Sequence, residues 1–360
     1  MIKVLIVDDS ALIRSLLSEI VSATPGMVVV GAAPNAYIAR DMVNQHCPDV
    51  ITLDIEMPKV DGITFLSKLM KARPTPVVMI STLTEKGAEA TLRSLELGAV
   101  DYIPKPKIGV TEGFERYSSL IIEKIRLASK SKVKKLSSTP TAKQESIISG
   151  TEKIIAIGAS TGGTIAIKRF LETMPANAPA IVITQHMPPG FTKTFAQRLN
   201  ASCSVNVAEA RGGERLLPGY VFIAPGDIHM GIERSGADYR TVLIDSERVS
   251  GHKPSVDVLF DSVSTAAGKN AIGIIMTGMG KDGANGLLKL KQAGAFTLAQ
   301  DEASCVIFGM PREAIKLDAA SKVCDLDAIP GVVVLILREL GGNWMLFDPP
   351  AFGNEDVSCL

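Results

Sequence analysis

Short apolar runs alternate with amphipathic segments along residues 1–128. The runs predict strands at 3–7, 27–32, 50–53, 77–80 and 100–103, and the amphipathic segments predict helices at 10–22, 35–45, 62–72, 85–97 and about 114–128. Nearly continuous apolar runs are typical of parallel strands that are buried on both faces. Because strands and helices alternate, this part of the chain is predicted to form a doubly wound α/β domain with a parallel sheet.

The same alternation returns over residues 151–340. Strands are predicted at 153–158, 180–184, 271–276 and 295–299, and helices near 162–173, 190–199, 255–267, 283–292 and 327–339. A glycine-rich middle part, residues 204–245, also contains strands. We therefore expect a second doubly wound α/β domain after the first.

Two segments break this pattern and set the predicted domain limits at 1–128 and 151–340. Residues 129–150 are rich in Ser, Thr and Lys, which predicts a polar, basic linker; a surface that docks a partner is the alternative. Residues 341–360 begin with two glycines and carry the single tryptophan, Trp344. They are predicted to form an irregular tail, with a partner-binding segment as the alternative.

Composition narrows the class of protein. The 360 residues include 38 Lys and Arg against 38 Asp and Glu, so the net charge is zero, and no nucleic-acid partner is expected. The five cysteines are scattered without a CxxC pair, which indicates a reducing compartment. No apolar run reaches the ~18 residues of a membrane span, and no signal peptide is recognisable. We expect a cytoplasmic protein that is not inserted in a membrane.

Polar side chains follow the predicted strands of the first domain. Asp8 and Asp9 follow the first strand, Asp54 follows the third, Ser81 ends the fourth and Lys105 follows the fifth. The carboxyl ends of parallel strands lie at one edge of a sheet, so these groups should converge there. Three carboxylates in one pocket favour a hard cation such as Mg²⁺, with one carboxylate as acceptor of a phosphoryl group. The alternative is that the aspartates only cap helices and turns.

A serine lies on a glycine-rich turn at the start of the second domain, in Gly158-x-Ser160-x-Gly162. Such a turn suits a nucleophile, although a serine that merely caps a helix is an equal alternative for the motif alone. His186 directly follows the next strand, and Asp282 lies on another glycine-rich turn after a strand. These residues are candidates for a base and its orienting carboxylate, and a helix cap is the alternative for Asp282.

The remaining histidines are weaker candidates for the base. His46 lies at a predicted helix end and is expected at the surface, and His229 and His252 are expected in polar loops. The order Ser, His, Asp along the chain differs from the Ser, Asp, His order of α/β-hydrolases. A triad here therefore predicts a different fold from theirs.

Residues 1–128 resemble a response-regulator receiver domain in the spacing from Asp9 to Asp54 and in the stretches DIEMPKVDG and IPKP. The resemblance implies that a histidine kinase phosphorylates Asp54 and that Mg²⁺ assists. The resemblance also implies the metal ligands, which are Asp8, Asp9, Asp54 and the backbone carbonyl of Glu56. The implied switch residues are Ser81, Tyr102 and Lys105.

Residues 153–340 resemble the catalytic domain of chemotaxis protein-glutamate methylesterases, in the stretches GASTGG, QHMPPGFT, PSVDVLF, TGMGKDGA and QDEASCVIFGMP. The resemblance implies hydrolysis of glutamyl methyl esters on the cytoplasmic helices of methylated chemoreceptors, with release of methanol and without a cofactor for the ester chemistry. Deamidation of receptor glutamines is implied as well. The implied roles are Ser160 as nucleophile, His186 as base, Asp282 as orienting carboxylate, and Thr161 and Met279 as oxyanion contacts.

Two other classes of protein remain as alternatives. A DNA-binding response regulator would carry a basic output domain, but residues 151–360 contain 19 Lys and Arg against 22 Asp and Glu, a net charge of −3. A non-catalytic adaptor with a decayed hydrolase domain is opposed by the presence of Ser160, His186 and Asp282.

Overall fold

A computed structural model describes residues 1–82, 84–105, 114–131 and 152–340. The predicted tail, 341–360, and all of the predicted linker after residue 131 lie outside the described residues, so their limits stay a prediction. Within the described part, no helix is long and apolar enough to cross a membrane.

The first half of the chain forms a parallel sheet with helices on both faces. Its strands have the order β2-β1-β3-β4-β5, and each neighbouring pair is parallel. In chain order the elements are β1 (Ile2–Val7), α1 (Ala11–Ser22), β2 (Met27–Ala33), α2 (Ala36–His46), β3 (Val50–Asp54), α3 (Gly62–Ala72), β4 (Val77–Ser81), α4 (Glu85–Glu96), β5 (Asp101–Pro104) and α5 (Phe114–Ala128). The doubly wound fold that the apolar runs predict is confirmed.

The second half forms a larger parallel sheet with the order β14-β13-β12-β6-β7-β9-β8. In chain order the elements are β6 (Ile154–Ala159), α6 (Gly163–Thr173), β7 (Ala180–Gln185), α7 (Phe191–Ser202), β8 (Asn206–Glu209), β9 (Tyr220–Ile223), β10 (His229–Ser235), β11 (Asp238–Ile244), α8 (Val256–Ala266), β12 (Ala271–Ile275), α9 (Ala284–Gln292), β13 (Phe296–Gln300), α10 (Met310–Lys316), β14 (Lys322–Cys324) and α11 (Ile329–Leu340). The predicted second α/β domain is confirmed.

Strand β6 lies at the centre of this sheet and is buried on both faces. Ile155 and Ile157 pack in the same cluster as Phe170 of α6, whereas Ile154 packs in the cluster of Phe260 of α8. Successive residues of a strand point to opposite faces, so a continuous apolar run is what a strand between two helical layers requires. The neighbours of β6 are β12 and β7, so the turns that follow these three strands meet at one edge of the sheet.

Four elements differ from the expected pattern, two of them in one hairpin. The glycine-rich middle contains an antiparallel hairpin, β10 and β11, which forms its own two-stranded sheet and packs on α8. Helix α10 and strand β14 were not expected from the sequence. Helix α10 has seven residues and no side-chain cap at Gly309, although Pro311 in its first turn is a helix-start signal. Strand β14 is a three-residue edge strand, too short for a clear apolar run.

The two halves contact each other through α4. Leu92 and Leu95 of α4 belong to the same buried apolar cluster as Phe195 of α7. At the rim, the Glu96 carboxylate lies 3.0 Å from Lys168 Nζ and 2.6 Å from an Arg198 guanidinium nitrogen. An apolar centre with charged groups at its edge is the usual composition of a protein interface.

We predict opposite effects of the same substitution at two helical glycines. A methyl group at Gly331 in α11 meets no atom within 4 Å, so Gly331→Ala should stabilise the fold by about 0.4–1 kcal/mol through lower unfolded-state entropy. A methyl group at Gly286 in α9 would lie 2.7 Å from Phe260 Cβ, so Gly286→Ala should destabilise by about 1–3 kcal/mol. Urea unfolding of both variants measures the two signs; equal effects would contradict the close packing of α8 on α9.

Candidate functional site

The turn after β6 holds Ser160 by its backbone. The Ser160 N–H donates to Thr277 O at 3.0 Å, and the Ser160 carbonyl accepts from Gly163 N at 2.7 Å. Gly162 has a φ of 79°, and a Cβ there would lie 2.6 Å from Val306 Cβ, so this turn requires glycine at that position. The Ser160 hydroxyl is half-buried at the N-terminal end of α6 and has no hydrogen-bond partner among the described residues.

His186 and Asp282 form a hydrogen-bonded pair beside this turn. His186 Nε2 lies 2.7 Å from Asp282 Oδ2, and His186 Nδ1 is buried without a partner among the described residues. The Asp282 carboxylate also accepts from Ser255 Oγ (2.7 Å) and from the backbone N–H of Val256 (2.7 Å) and Asp257 (3.1 Å), at the start of α8. These contacts leave Nδ1 as the ring nitrogen that is free to accept a proton.

The surroundings of Asp282 keep it ionised. Burial alone would raise its pKa, but the hydrogen bond and charge of His186 and the donors from Ser255 and Val256 outweigh burial and lower the pKa to about 2. The N-terminus of a helix favours a negative charge, so α8 and the carboxylate support each other.

The histidines that the sequence placed in polar loops have other positions. The ring of His252 stacks on the ring of His186 with centroids 3.7 Å apart, and burial together with the charge of His186 lowers the pKa of His252 to about 4. His229 is fully buried at the start of β10, where Nδ1 accepts from Ser255 N at 3.0 Å. The prediction that His229 lies in a polar loop is therefore wrong, and His252 is closer to His186 than the sequence indicated.

Ser160, Thr161, His186 and Met279 line one cavity of about 370 Å³ between the two halves of the chain. The wall on the other side comes from the first half and includes residues of β5 and α5: Asp101, Tyr102, Pro104, Leu120, Glu123 and Lys124. The structure therefore brings the predicted triad residues and oxyanion contacts together, and it covers them with the receiver-like half.

One hydrogen bond across this cavity engages the side chain of Thr161, a predicted oxyanion contact. The Thr161 hydroxyl donates to the Asp101 carboxylate, which also lies 2.5 Å from Lys124 Nζ. In this arrangement the Thr161 hydroxyl is not free to face a substrate. Asp101 is not among the predicted site residues; its position immediately before Tyr102, at the start of β5, is the available signal.

The predicted acidic pocket is present at the edge of the first sheet. Oxygen atoms of Asp8, Asp9 and Asp54 lie within 4.8 Å of one another, and Asp8 Oδ2 is buried without a hydrogen-bond partner among the described residues. Three carboxylates, one of them with an oxygen that lacks a hydrogen-bond partner, fit a hard divalent cation such as Mg²⁺. Glu56 is exposed, and its backbone N–H donates to Asp54 Oδ1 at 3.3 Å, so its backbone lies beside this pocket.

Lys105 and burial set the charge of Asp54. Lys105 Nζ lies 2.8 Å from Asp54 Oδ2 and 3.8 Å from Asp8 Oδ2. Burial raises the pKa of Asp54 to about 6, against the opposing effect of Lys105. A cation bound here would favour the ionised form that a phosphoryl acceptor needs.

Two of the three predicted switch residues, Ser81 and Tyr102, contact different parts of the molecule. Ser81 is buried, accepts from Thr91 Oγ1 at 2.7 Å and donates to Gly87 O at 3.2 Å, both in α4. The Tyr102 ring stacks on Phe191 of α7 with centroids 5.0 Å apart. Changes near Asp54 that move α4 or Tyr102 would therefore reach the second half directly.

Comparisons with known proteins agree with this organisation. The family model described as CheB methylesterase matches residues 155–333, and the model described as response regulator receiver domain matches residues 4–110. A protein-glutamate methylesterase/protein-glutamine glutaminase of Methylobacillus flagellatus is 57% identical over 349 residues, which cover 95% of this chain and 98% of that relative. The chain belongs to the protein-glutamate methylesterase/protein-glutamine glutaminase family.

Other members of this family are similarly close. A relative from Pseudomonas aeruginosa, named protein-glutamate methylesterase/protein-glutamine glutaminase 2, is 55% identical over 335 residues, covering 92% of this chain and 96% of its own. The solved catalytic domain of the Thermotoga maritima CheB methylesterase has a TM-score of 0.50 and 39% identity, covering 51% of this chain and 98% of that one. Both the full architecture and the fold of the second half are thus those of the family.

We predict that the ionised carboxylate of Asp282 contributes to the free energy of unfolding and that this contribution decreases at low pH. Its folded-state pKa, about 2, lies below the ordinary 3.8, so the carboxylate stabilises the fold above about pH 4 and that stability is lost as the pH falls through 2. Asp282→Asn should therefore destabilise by about 2–4 kcal/mol at pH 7, with a smaller difference from wild type near pH 2.5.

Urea unfolding at both pH values measures this difference. Asp318→Asn, at an aspartate whose side chain is 93% exposed, is the matched control and should change little. A gap between wild type and Asp282→Asn that stays constant down to pH 2.5 would contradict the lowered pKa.

Proposed function

We propose that this chain hydrolyses γ-glutamyl methyl esters on chemoreceptors, with Ser160, His186 and Asp282 as the catalytic triad. The observation that carries the proposal is the 2.7 Å hydrogen bond between His186 and the buried Asp282, because His186 lines the same cavity as a serine on a tight turn. Serine at neutral pH is a weak nucleophile and needs a neighbouring base. The names of the relatives support the same substrate class.

The reaction follows from the positions of these groups. Ser160 Oγ attacks the ester carbonyl carbon while His186 Nδ1 takes the hydroxyl proton, and Asp282 stabilises the imidazolium that forms. The imidazolium then protonates the leaving methoxide, so methanol departs and an acyl-enzyme remains. Water, deprotonated by His186, attacks the acyl carbon and frees the glutamate carboxylate and the Ser160 hydroxyl.

The oxyanion of each tetrahedral intermediate needs hydrogen-bond donors. The backbone N–H of Met279 and groups of Thr161 line the cavity beside Ser160 and are our candidates for this role. The same steps apply to a glutamine side chain, where ammonia replaces methanol as the leaving group. Glutaminase activity thus needs no further residue, and it agrees with the second activity in the relatives' names.

The first half supplies regulation by phosphorylation. We assign Asp54 as the acceptor of a phosphoryl group from a histidine kinase, with Asp8, Asp9, Asp54 and the Glu56 carbonyl as ligands of Mg²⁺. A bound Mg²⁺ supplies positive charge that neutralises phosphoryl oxygens. Lys105, 2.8 Å from Asp54, adds a second positive charge on the same oxygens.

In the unphosphorylated state the first half restrains the esterase. It forms one wall of the cavity, and Asp101 accepts a hydrogen bond from the Thr161 hydroxyl. A chemoreceptor helix, about 10–12 Å across, is far wider than a small ester and requires this wall to move. Phosphorylation at Asp54 would displace Ser81 and Tyr102 and so weaken the contacts of α4 and β5 with the second half.

The triad assignment predicts the following kinetics. Ser160→Ala and His186→Ala should each lower methanol release from methylated receptor membranes by at least about a thousandfold, and the double variant should be scarcely worse than either. Ser202→Ala, at an exposed serine ending α7, is the matched control and should keep activity. His252→Ala should lose markedly less than His186→Ala; the reverse order would mean that the base is wrongly assigned.

The restraint predicts activation by a single interface charge reversal. Glu96→Lys places a cation against Lys168 and Arg198, so the unphosphorylated chain should release methanol about fivefold faster at low salt. The ion pairs are about one-third exposed, so added salt should reduce the effect. Asp41→Lys, on α2, which packs on β1 and β2, is the control with the same charge change. Equal rates for both variants would contradict the restraint.

A further inference from the structure

One buried side chain connects the turns that carry the proposed nucleophile and base. Gln185 is the last residue of β7 and is 3% exposed. Its Nε2 donates to the carbonyl oxygen of Ser160 at 2.9 Å and to that of His186 at 3.2 Å. A single amide group therefore binds the backbone of both residues whose side chains must exchange a proton.

The backbone of Ser160 is fixed from both neighbouring strands. Its N–H donates to Thr277 O, just after β12, and its carbonyl accepts from Gln185, at the end of β7. The ladder between β6 and β7 ends at the pair Ala159 and Gln185, and His186 N donates to Ala159 O at 3.2 Å. These bonds fix the backbone of Ser160 relative to both neighbouring strands.

The amide of Gln185 can take one orientation. Two carbonyl oxygens face Nε2, so only the donor end of the amide fits there. Its Oε1 is buried without a hydrogen-bond partner among the described residues and lies against Gly163, where a Cβ would overlap it. A buried unpaired acceptor costs stability, about 1–3 kcal/mol in general, and strain of this kind persists where function requires it.

We propose that Gln185 is a positioning residue that holds Ser160 and His186 at the separation needed for proton transfer. This inference rests on the proposed triad, because it concerns the distance between two of its members. Gln185 belongs to the lining of the cavity but is only 3% exposed, and its amide donates to two backbone carbonyls. Its loss should therefore change the chemical step and leave substrate binding alone, since misplacement of reacting groups by about 1 Å costs about a hundredfold in rate.

The test compares two variants of Gln185 in the full-length chain. Gln185→Met keeps the length of the side chain without any donor, and Gln185→Glu keeps its shape but can donate at most one hydrogen bond. For Gln185→Met we expect kcat to fall about 10- to 100-fold with KM within twofold of wild type, and for Gln185→Glu a smaller fall in kcat alone. If Gln185→Met does not fold, Gln185→Glu decides.

Controls separate positioning from general stability. Thr297→Val removes a buried hydroxyl that bonds Ala319 O at 2.7 Å, between β13 and the edge of the sheet, and should lower Tm without lowering kcat. Folded Gln185 variants with kcat within threefold of wild type, or with kcat and KM changed together as much as in Thr297→Val, would overturn the proposal. Ser160→Ala is assayed in parallel: full activity there would overturn the triad itself, whereas an inactive Ser160→Ala with active Gln185 variants overturns only the role of Gln185.

Discussion

A buried carboxylate on which two elements converge organises the catalytic half. Asp282 accepts hydrogen bonds from His186, from Ser255 and from the first backbone N–H groups of α8. Because all of these groups donate, the Asp282 carboxylate has to be ionised to accept their hydrogen bonds. If it were protonated, some of these buried donors would lose their partner. The turn after β12 places Asp282 beside His186, which follows β7. The turn after β6, the strand between these two, places Ser160 at the same cavity as His186.

The receiver half uses the same edge geometry for a different purpose. Its acidic pocket lies at the carboxyl ends of β1 and β3, while β5 forms part of the wall of the cavity between the two halves. Tyr102 and Asp101, adjacent on β5, contact Phe191 and Thr161. Strand β5 thus carries both a predicted switch residue and the carboxylate that accepts the Thr161 hydrogen bond. Under the proposed function, this strand would connect Asp54 to the turn that holds Ser160.

The two sheets could be predicted from the sequence because a parallel strand that is buried on both faces consists of consecutive apolar residues, as β6 does. The sequence also indicated that Ser160, His186 and Asp282 lie at one edge of the sheet, because each follows such a strand; in the structure His186 pairs with Asp282, and Ser160 and His186 line one cavity. It did not predict the stacking of His252, the bridge made by Gln185 or the capture of Thr161 by Asp101. These depend on contacts between residues far apart in the chain, and no local pattern marks them. Similarly, α10 and the hairpin of β10 and β11 are positioned by packing rather than by strong caps or long periodic runs.

The residues of the proposed triad are attached to the fold unequally, and this limits which of them could be lost first if selection for turnover were relaxed. The Ser160 hydroxyl has no hydrogen bond to the described residues, so an alanine there leaves the fold intact. Asp282, by contrast, is built into the start of α8, and its replacement damages folding as well as chemistry. Inactive homologues with this architecture should therefore lose the serine first and keep the aspartate longest, because the aspartate is needed for folding as well as for the reaction.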